Sequence, residues 1–173
     1  AYLDNSPRCS VTAEIPRLMA EAAPMKNIRY LGAMASHEEI GRFGSRVLAK
    51  EFSPDVTIAV DVAHDFTAAP GIGDRRYEPV AMGDGYTLTH GAITSAALNS
   101  LLTEVSLKHG IPVQHELAGR DTGTDAMAAV FAAVDSASAS IGFPIRNMHT
   151  ISESGHTGDV EAAIHAIYQT LVT

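Results

Sequence analysis

Cysteine, runs of basic residues and long apolar stretches are all scarce in this sequence, and each scarcity removes a class of protein. Cys9 is the single cysteine, so no internal disulfide can form. No basic-then-apolar export segment opens the chain either, and the two features together lead to an expected reducing, cytoplasmic compartment. No five-residue window is rich in Lys or Arg, and acidic residues outnumber basic ones by 20 to 12, for a net charge of −8. Nucleic acid is therefore not an expected partner. The longest purely apolar run, Ala126 to Val134, falls well short of the roughly 20 residues that a membrane-spanning helix needs, so no membrane partner is expected.

What is present is a chain of 173 residues with 46% apolar content, enough for one globular domain with a sizeable core over positions 1–173. It starts at Ala1 rather than at a methionine and reaches a polar pair, Asp4-Asn5, almost at once. We expect it to be part of a longer protein.

Ile28, Tyr30, Gly32 and Met34 alternate with Arg29, Leu31, Ala33 and Ala35, and Val56 to Val62 is almost continuously apolar and β-branched; both segments predict strands. Gly44 to Glu51 between them has helical composition, so Asn27 to Val62 predicts a strand-helix-strand unit of the parallel kind and an α/β layer architecture. Ser95 to Lys108 predicts a helix stopped by Gly110-Ile111-Pro112, followed by a strand over Val113 to Leu117. A helix over Asp125 to Val134 capped by Thr124 or Asp125, a short strand over Ala139 to Phe143 and a last helix over Asp159 to Leu171 complete the series. Pro70 to Gly91 interrupts it with Gly71, Gly73, Gly83, Gly85 and Gly91, and predicts loops around one or two short strands.

Acidic and histidine residues fall where these elements end. Asp4 precedes the first helix, Glu38 and Glu39 follow a strand, Asp61 closes the next strand, and His149 lies in a loop. In open α/β sheets the crevice beyond the carboxyl ends of the strands collects ligands, so one shared site is permitted. Carboxylate oxygen with a minority of imidazole nitrogen suits Zn²⁺, Mn²⁺ or Co²⁺, and a pair of ions fits best, because a bridging carboxylate lets both polarise one carbonyl and one water. Adjacent side chains in an extended or turning segment point apart, so Glu38-Glu39 could offer one carboxylate to metal and the other to that water.

Each residue also has a plainer explanation. Glu-Glu after a strand is by itself usually a solvated turn. Asp4 with Asn5 and Pro7 could be only a helix start. Asp61 ends an apolar run, and burying it alone would be costly, so a partner or a metal is expected there. Among the histidines, His109 and His165 are expected to be structural, His37, His64, His90, His115 and His156 stay open, and His149 is singled out as a ligand candidate. Gly119 to Asp125 lacks the Gly-Lys-Ser/Thr ending of a phosphate loop and predicts a tight loop capping a helix.

Taken together, five ordered segments resemble the TET or glutamyl-aminopeptidase family of dinuclear metallopeptidases, some members of which were once labelled endoglucanases. Asp4-Asn5 resembles the family's Asp-Asp or Asp-Asn pair, and Glu38-Glu39-Ile40-Gly41 its Glu-Glu-Val-Gly motif. Ala59-Val60-Asp61-Val62 resembles the segment that supplies another ligand, while Gly123-Thr124-Asp125-Ala126 and Arg146-Asn147-Met148-His149-Thr150 resemble two late motifs. The intervals of 22 positions from Glu39 to Asp61 and 88 from Asp61 to His149 agree as well.

The resemblance implies a zinc-peptidase-like fold, a three-layer α/β/α sandwich around a mixed, mainly parallel sheet. It implies an aminopeptidase that acts on peptides with two divalent ions, zinc or cobalt, and that assembles into homo-oligomers. By the same resemblance Glu38 is the general base, and Asp4, Glu39, Asp61 and His149 bind metal, Asp4 bridging both ions. The family's upstream His-x-Asp segment and its inserted β-domain have no counterpart here, so one ion keeps Asp4, Glu39 and His149 and the other only Asp4 and Asp61. Ser6-Pro7-Arg8 also departs from the family's Arg-x-Gly, and Pro16 removes a hydrogen bond from the first helix. These departures motivate a rival reading, a non-catalytic metal-binding or assembly subunit with an incomplete dinuclear site.

Overall fold

A nearly unbroken buried strand organises the molecule. The computed structural model describes Leu3 and residues 6–22, 27–68, 79–121 and 123–173. Its elements run α1 (Ser6–Glu21), α2 (Phe43–Phe52), β1 (Val56–His64), β2 (Tyr86–His90), α3 (Ala96–His109), β3 (Val113–Leu117), a 3-10 turn (Asp125–Met127) leading into α4 (Ala128–Phe131), β4 (Ala137–Arg146), β5 (Ser154–Gly155) and α5 (Thr157–Val172). β4 lies between β1, parallel to it, and β2, antiparallel to it. β3 pairs parallel with β2, and the short β5 runs back along the end of β4. The order β1-β4-β2-β3 is a mixed sheet whose longest ladders are parallel.

The sequence of β4 accounts for its central place. Ala139, Ile141, Phe143 and Ile145 enter the larger core, and each large apolar side chain buried there contributes about 1.5–3 kcal/mol. Alternate positions are small, which lets neighbours close in: a Cβ on Gly142 would lie 2.5 Å from Thr87 Oγ1 and 3.3 Å from Ala63 Cβ. The larger core takes Val11 and Ile15 from α1, Leu98 and Leu102 from α3, and Ala163 and Ile167 from α5. A smaller one joins Ala49 of α2 to Ala128 and Ala129 of α4. Ile58, Val60 and Val62 of β1 pack on the larger core, while Ala59, Asp61 and Ala63 alternate with them and are also buried. Two layers of helix around one sheet give the expected three-layer α/β/α sandwich.

Local chemistry sets the element ends. Ser95 caps α3 by accepting from the Leu98 N–H, and Gly110 closes it in the left-handed region at φ 66°. Asp159, in the first turn of α5 and fully buried, accepts from the Gly83 and Gly85 N–H groups at 2.8 and 2.9 Å, which fixes the turn entering β2. In α1, Pro16 cannot donate to the Thr12 carbonyl, and the Tyr30 hydroxyl donates to it instead at 3.3 Å. No described helix is long and apolar enough to cross a membrane.

Three sequence-based expectations are corrected. Residues 28–35 form no strand, so the expected strand-helix-strand unit reduces to α2 followed by β1. Their alternation writes a pleat, but no described strand supplies a ladder, and Ile28, Leu31 and Met34 are exposed. The helix expected over Asp125 to Val134 is a 3-10 turn and one short α-helix, closed by Ala133 at φ 56°. The strand expected over Ala139 to Phe143 runs at both ends to Ala137 and Arg146, where β1 and β5 supply partners. One strand of the glycine-rich region is β2; residues 69–78 lie outside the described residues.

Candidate active site

The Glu38-Glu39 pair sits in a tight turn between the irregular segment and α2. The Gly41 N–H bonds to the Glu38 carbonyl at 3.1 Å and the Arg42 N–H to the His37 carbonyl at 2.9 Å. His37 and Arg42 adopt left-handed backbone at φ 59° and 58°, and Gly41 takes φ 136°, a region open mainly to glycine. Gly44 is needed as well, since a Cβ there would lie 2.5 Å from the Ser36 backbone nitrogen. This turn withdraws the Glu38 side chain, 12% exposed, and leaves Glu39 exposed.

Burial pushes the Glu38 carboxyl above the usual carboxylate range, and the negative charges of Asp125 and Glu39 add to the rise. The Arg8 and Arg42 cations oppose it, with Arg42 Nε 3.7 Å from Glu38 Oε1. A carboxyl raised in this way takes and returns a proton more readily than an ordinary glutamate.

Asp61 occupies the face of β1 that carries Ala59 and Ala63, and lies within the strand rather than at its end. Its residue is 7% exposed, and the expected partner is present: Arg8 Nη2 lies 2.9 Å from Asp61 Oδ1, which also accepts from the Val62 N–H at 2.7 Å. Arg8 thus ties α1 to β1 through Asp61, and its charge also bears on the Glu38 carboxyl.

His149 lies in the turn between β4 and β5, exposed, at φ 63°. Its N–H donates to Glu153 Oε1 at 2.8 Å, and Glu153 Oε2 accepts from the Leu3 N–H at 2.6 Å. Asp4, the expected bridging ligand, lies outside the described residues. Among the described residues no three His, Cys, Asp or Glu side chains stand close enough together to hold a metal ion.

Residues missed by sequence reasoning complete the site. Of the two expected cap residues Thr124 makes the cap, while Asp125, given no role of its own from the sequence, accepts from the Ser45 hydroxyl and bears on Glu38. Arg42 contacts Glu38, Asp121 at 3.2 Å and the Met127 sulfur at 3.5 Å. The match at Gly123-Thr124-Asp125-Ala126 was the available signal for Asp125; nothing local marked Arg42. His156 caps α5 through Nδ1, and His90 and His115 pair at 2.9 Å on neighbouring strands.

The sequence model of the M42 glutamyl aminopeptidase family matches residues 1–165. This chain belongs to the M42 family. A lysyl aminopeptidase of Pyrococcus furiosus is 35% identical over 127 residues, 73% of this chain and 36% of that protein. The TET aminopeptidase of a marine-sediment Thaumarchaeota archaeon superposes with a TM-score of 0.78 at 23% identity, over 96% of this chain and 46% of that one. The TET1 peptidase of Pyrococcus horikoshii, which can assemble into a tetrahedron or a large octahedral shell, gives 0.62 at 25% identity over 76% and 37%. The M42 chain described here therefore spans less than half the length of these relatives.

Proposed function

We propose that residues 1–173 form a single catalytic-type domain of a metal-dependent aminopeptidase, which hydrolyses the bond after the N-terminal residue of a peptide. The observation that carries this reading is the Glu38 carboxyl, withdrawn by its turn and raised by burial and by Asp125, with the charge of Arg8, the partner of Asp61, opposing the rise. Glu38 takes a proton from the attacking water and passes it to the leaving amine.

The donors fit a divalent ion by chemistry. They are carboxylates with one imidazole, and Asp61 already draws a cation to 2.9 Å. Asp4, Glu39 and His149 would hold one ion and Asp4 and Asp61 a second, with zinc or cobalt the best-suited metals. When bound, such ions polarise the substrate carbonyl and make a water more acidic. Assembly into homo-oligomers is supported by the shells formed by the Pyrococcus horikoshii relative, and the net charge of −8 suits a peptide rather than a nucleic-acid partner, with the cytoplasm the proposed compartment.

Replacing Glu38 with Gln keeps the size of the side chain and removes the base. Turnover of an N-terminal aminoacyl amide should fall by about 10²–10⁴-fold with metal content unchanged; full activity would overturn the assignment. A second reading is a metal-binding or assembly subunit without turnover, with an incomplete dinuclear site. Two ions per chain together with peptide hydrolysis would end that reading.

A further inference from the structure

We propose that Glu153 is a positioning residue that clamps the His149 turn to the N-terminal segment and so sets the geometry with which His149 meets metal. This rests on the reading of His149 as a ligand.

The clamp uses one carboxylate and two backbone donors. Oε1 accepts from the His149 N–H at 2.8 Å, and Oε2 accepts from the Leu3 N–H at 2.6 Å. The two donors belong to segments almost 150 positions apart in sequence, so no local rule brings them together. Leu3 also packs on the larger core, and its Cδ1 would lie 3.4 Å from a Cβ on Gly155, which keeps it against the β4–β5 hairpin.

The His149 turn needs such support. Asn147 and His149 both hold left-handed backbone, at φ 56° and 63°, a region that disfavours side chains other than those of Gly and, to a lesser degree, Asn. Asn147 is braced within the turn, because its carbonyl accepts from the Thr150 N–H and hydroxyl and its Nδ2 donates to the Ser152 carbonyl. His149 is braced by Glu153, four residues on. An ionised acceptor makes short, strong bonds to N–H donors, and a single rigid carboxylate plane serves both segments. Side chains that orient a metal ligand typically change metal affinity 10–100-fold when removed.

The test compares Glu153→Ala, Glu153→Gln and His149→Ala in the full chain. It measures zinc affinity by competition with a chromophoric chelator, and hydrogen exchange at the Leu3 and His149 amides of the metal-free protein. Glu153→Ala should weaken zinc binding 10–100-fold and unprotect both amides together, with Glu153→Gln, which keeps one carbonyl acceptor, between it and the parent. If His149→Ala loses zinc while Glu153→Ala binds it like the parent, the clamp is overturned and the ligand reading survives. Zinc loss in both Glu153 variants with both amides still protected would also overturn it, since Glu153 would then act on the metal directly. If His149→Ala binds zinc like the parent, the ligand reading fails and takes the clamp's metal role with it. Should Glu153→Ala not fold, the Gln variant carries the same comparison.

Discussion

Asp61 and Asp65 lie four residues apart along the same stretch of chain, both buried and both joined to an arginine, yet the cations have different origins. Arg146, the last residue of β4, reaches Asp65 Oδ2 with its Nε at 2.6 Å, and Thr67 gives Asp65 Oδ1 both its N–H and its hydroxyl. These partners lie in the adjacent strand and in the turn after β1, so the sheet itself delivers them. The cation on Asp61 comes from α1, a separate element. The same pair of charges is a lock where the sheet supplies both halves; where one half arrives from another element, the proposed metal site makes it an exchangeable counter-charge. If Asp61 binds metal as proposed, the ion meets Arg8 Nη2 at Oδ1.

Removing the lock should give the largest effect on stability. Asp65→Asn keeps the shape but leaves the Arg146 and Thr67 donors facing a neutral amide. Because Arg146 is half exposed, the loss should fall at or below the lower end of the range for broken buried pairs, about 2–3 kcal/mol by denaturant titration. Burial alone would raise the Asp65 carboxyl, but the Thr67 and Arg146 bonds outweigh it and hold the group below the usual carboxylate range. A carboxyl lowered by folding contributes stability that is present above its unfolded pKa, about 3.9, and is lost as pH falls through the lower folded value. The parent should therefore show an acid limb below about pH 4 that Asp65→Asn flattens. An unchanged limb would place the acid sensitivity elsewhere.

Exchangeability at Asp61 is tested by Arg8→Met, which keeps much of the apolar stem and removes the charge. If the guanidinium competes with metal, zinc affinity should rise on the order of tenfold, corresponding to one hydrogen bond between charged groups at about 1.5 kcal/mol. Unchanged or weaker binding would make Arg8 a fixed partner of Asp61, no different in kind from Arg146.

The contrast also explains what was legible in the sequence. Ser95, Gly110 and the strand over Val113 to Leu117 were readable because caps and alternation act within a few residues. A buried carboxylate on β1 signalled that it needed a partner, but not which one, because Arg8 is more than fifty positions away. Nothing near Asp65 in the sequence marks its ion pair, since Arg146 stands 81 positions on. Glu38, without the family resemblance, reads as a solvated turn for the same reason: its burial depends on left-handed residues at 37 and 42, and its raised carboxyl on that burial and then on Asp125. Residues 28–35 failed in the other direction, as alternation records a face but not whether another strand lies beside it.

The smallest effect concerns α1, the helix that carries Arg8 to the site. Pro16 deprives the Thr12 carbonyl of its helical donor, and the Tyr30 hydroxyl takes that place at 3.3 Å. The ring also packs where a Cβ on Gly32 would be only 3.1 Å from Tyr30 Cε1, so residues 28–35 are tied to α1 by a side chain rather than by a ladder. Tyr30→Phe should cost about 1 kcal/mol by leaving that carbonyl short of a donor. In a Pro16→Ala background the helix regains its own N–H, and the same change should cost much less. A double-mutant cycle in denaturant measures the coupling. Equal costs in both backgrounds would show that the hydroxyl does not stand in for the missing donor, and that α1 holds Arg8 at Asp61 without help from this segment.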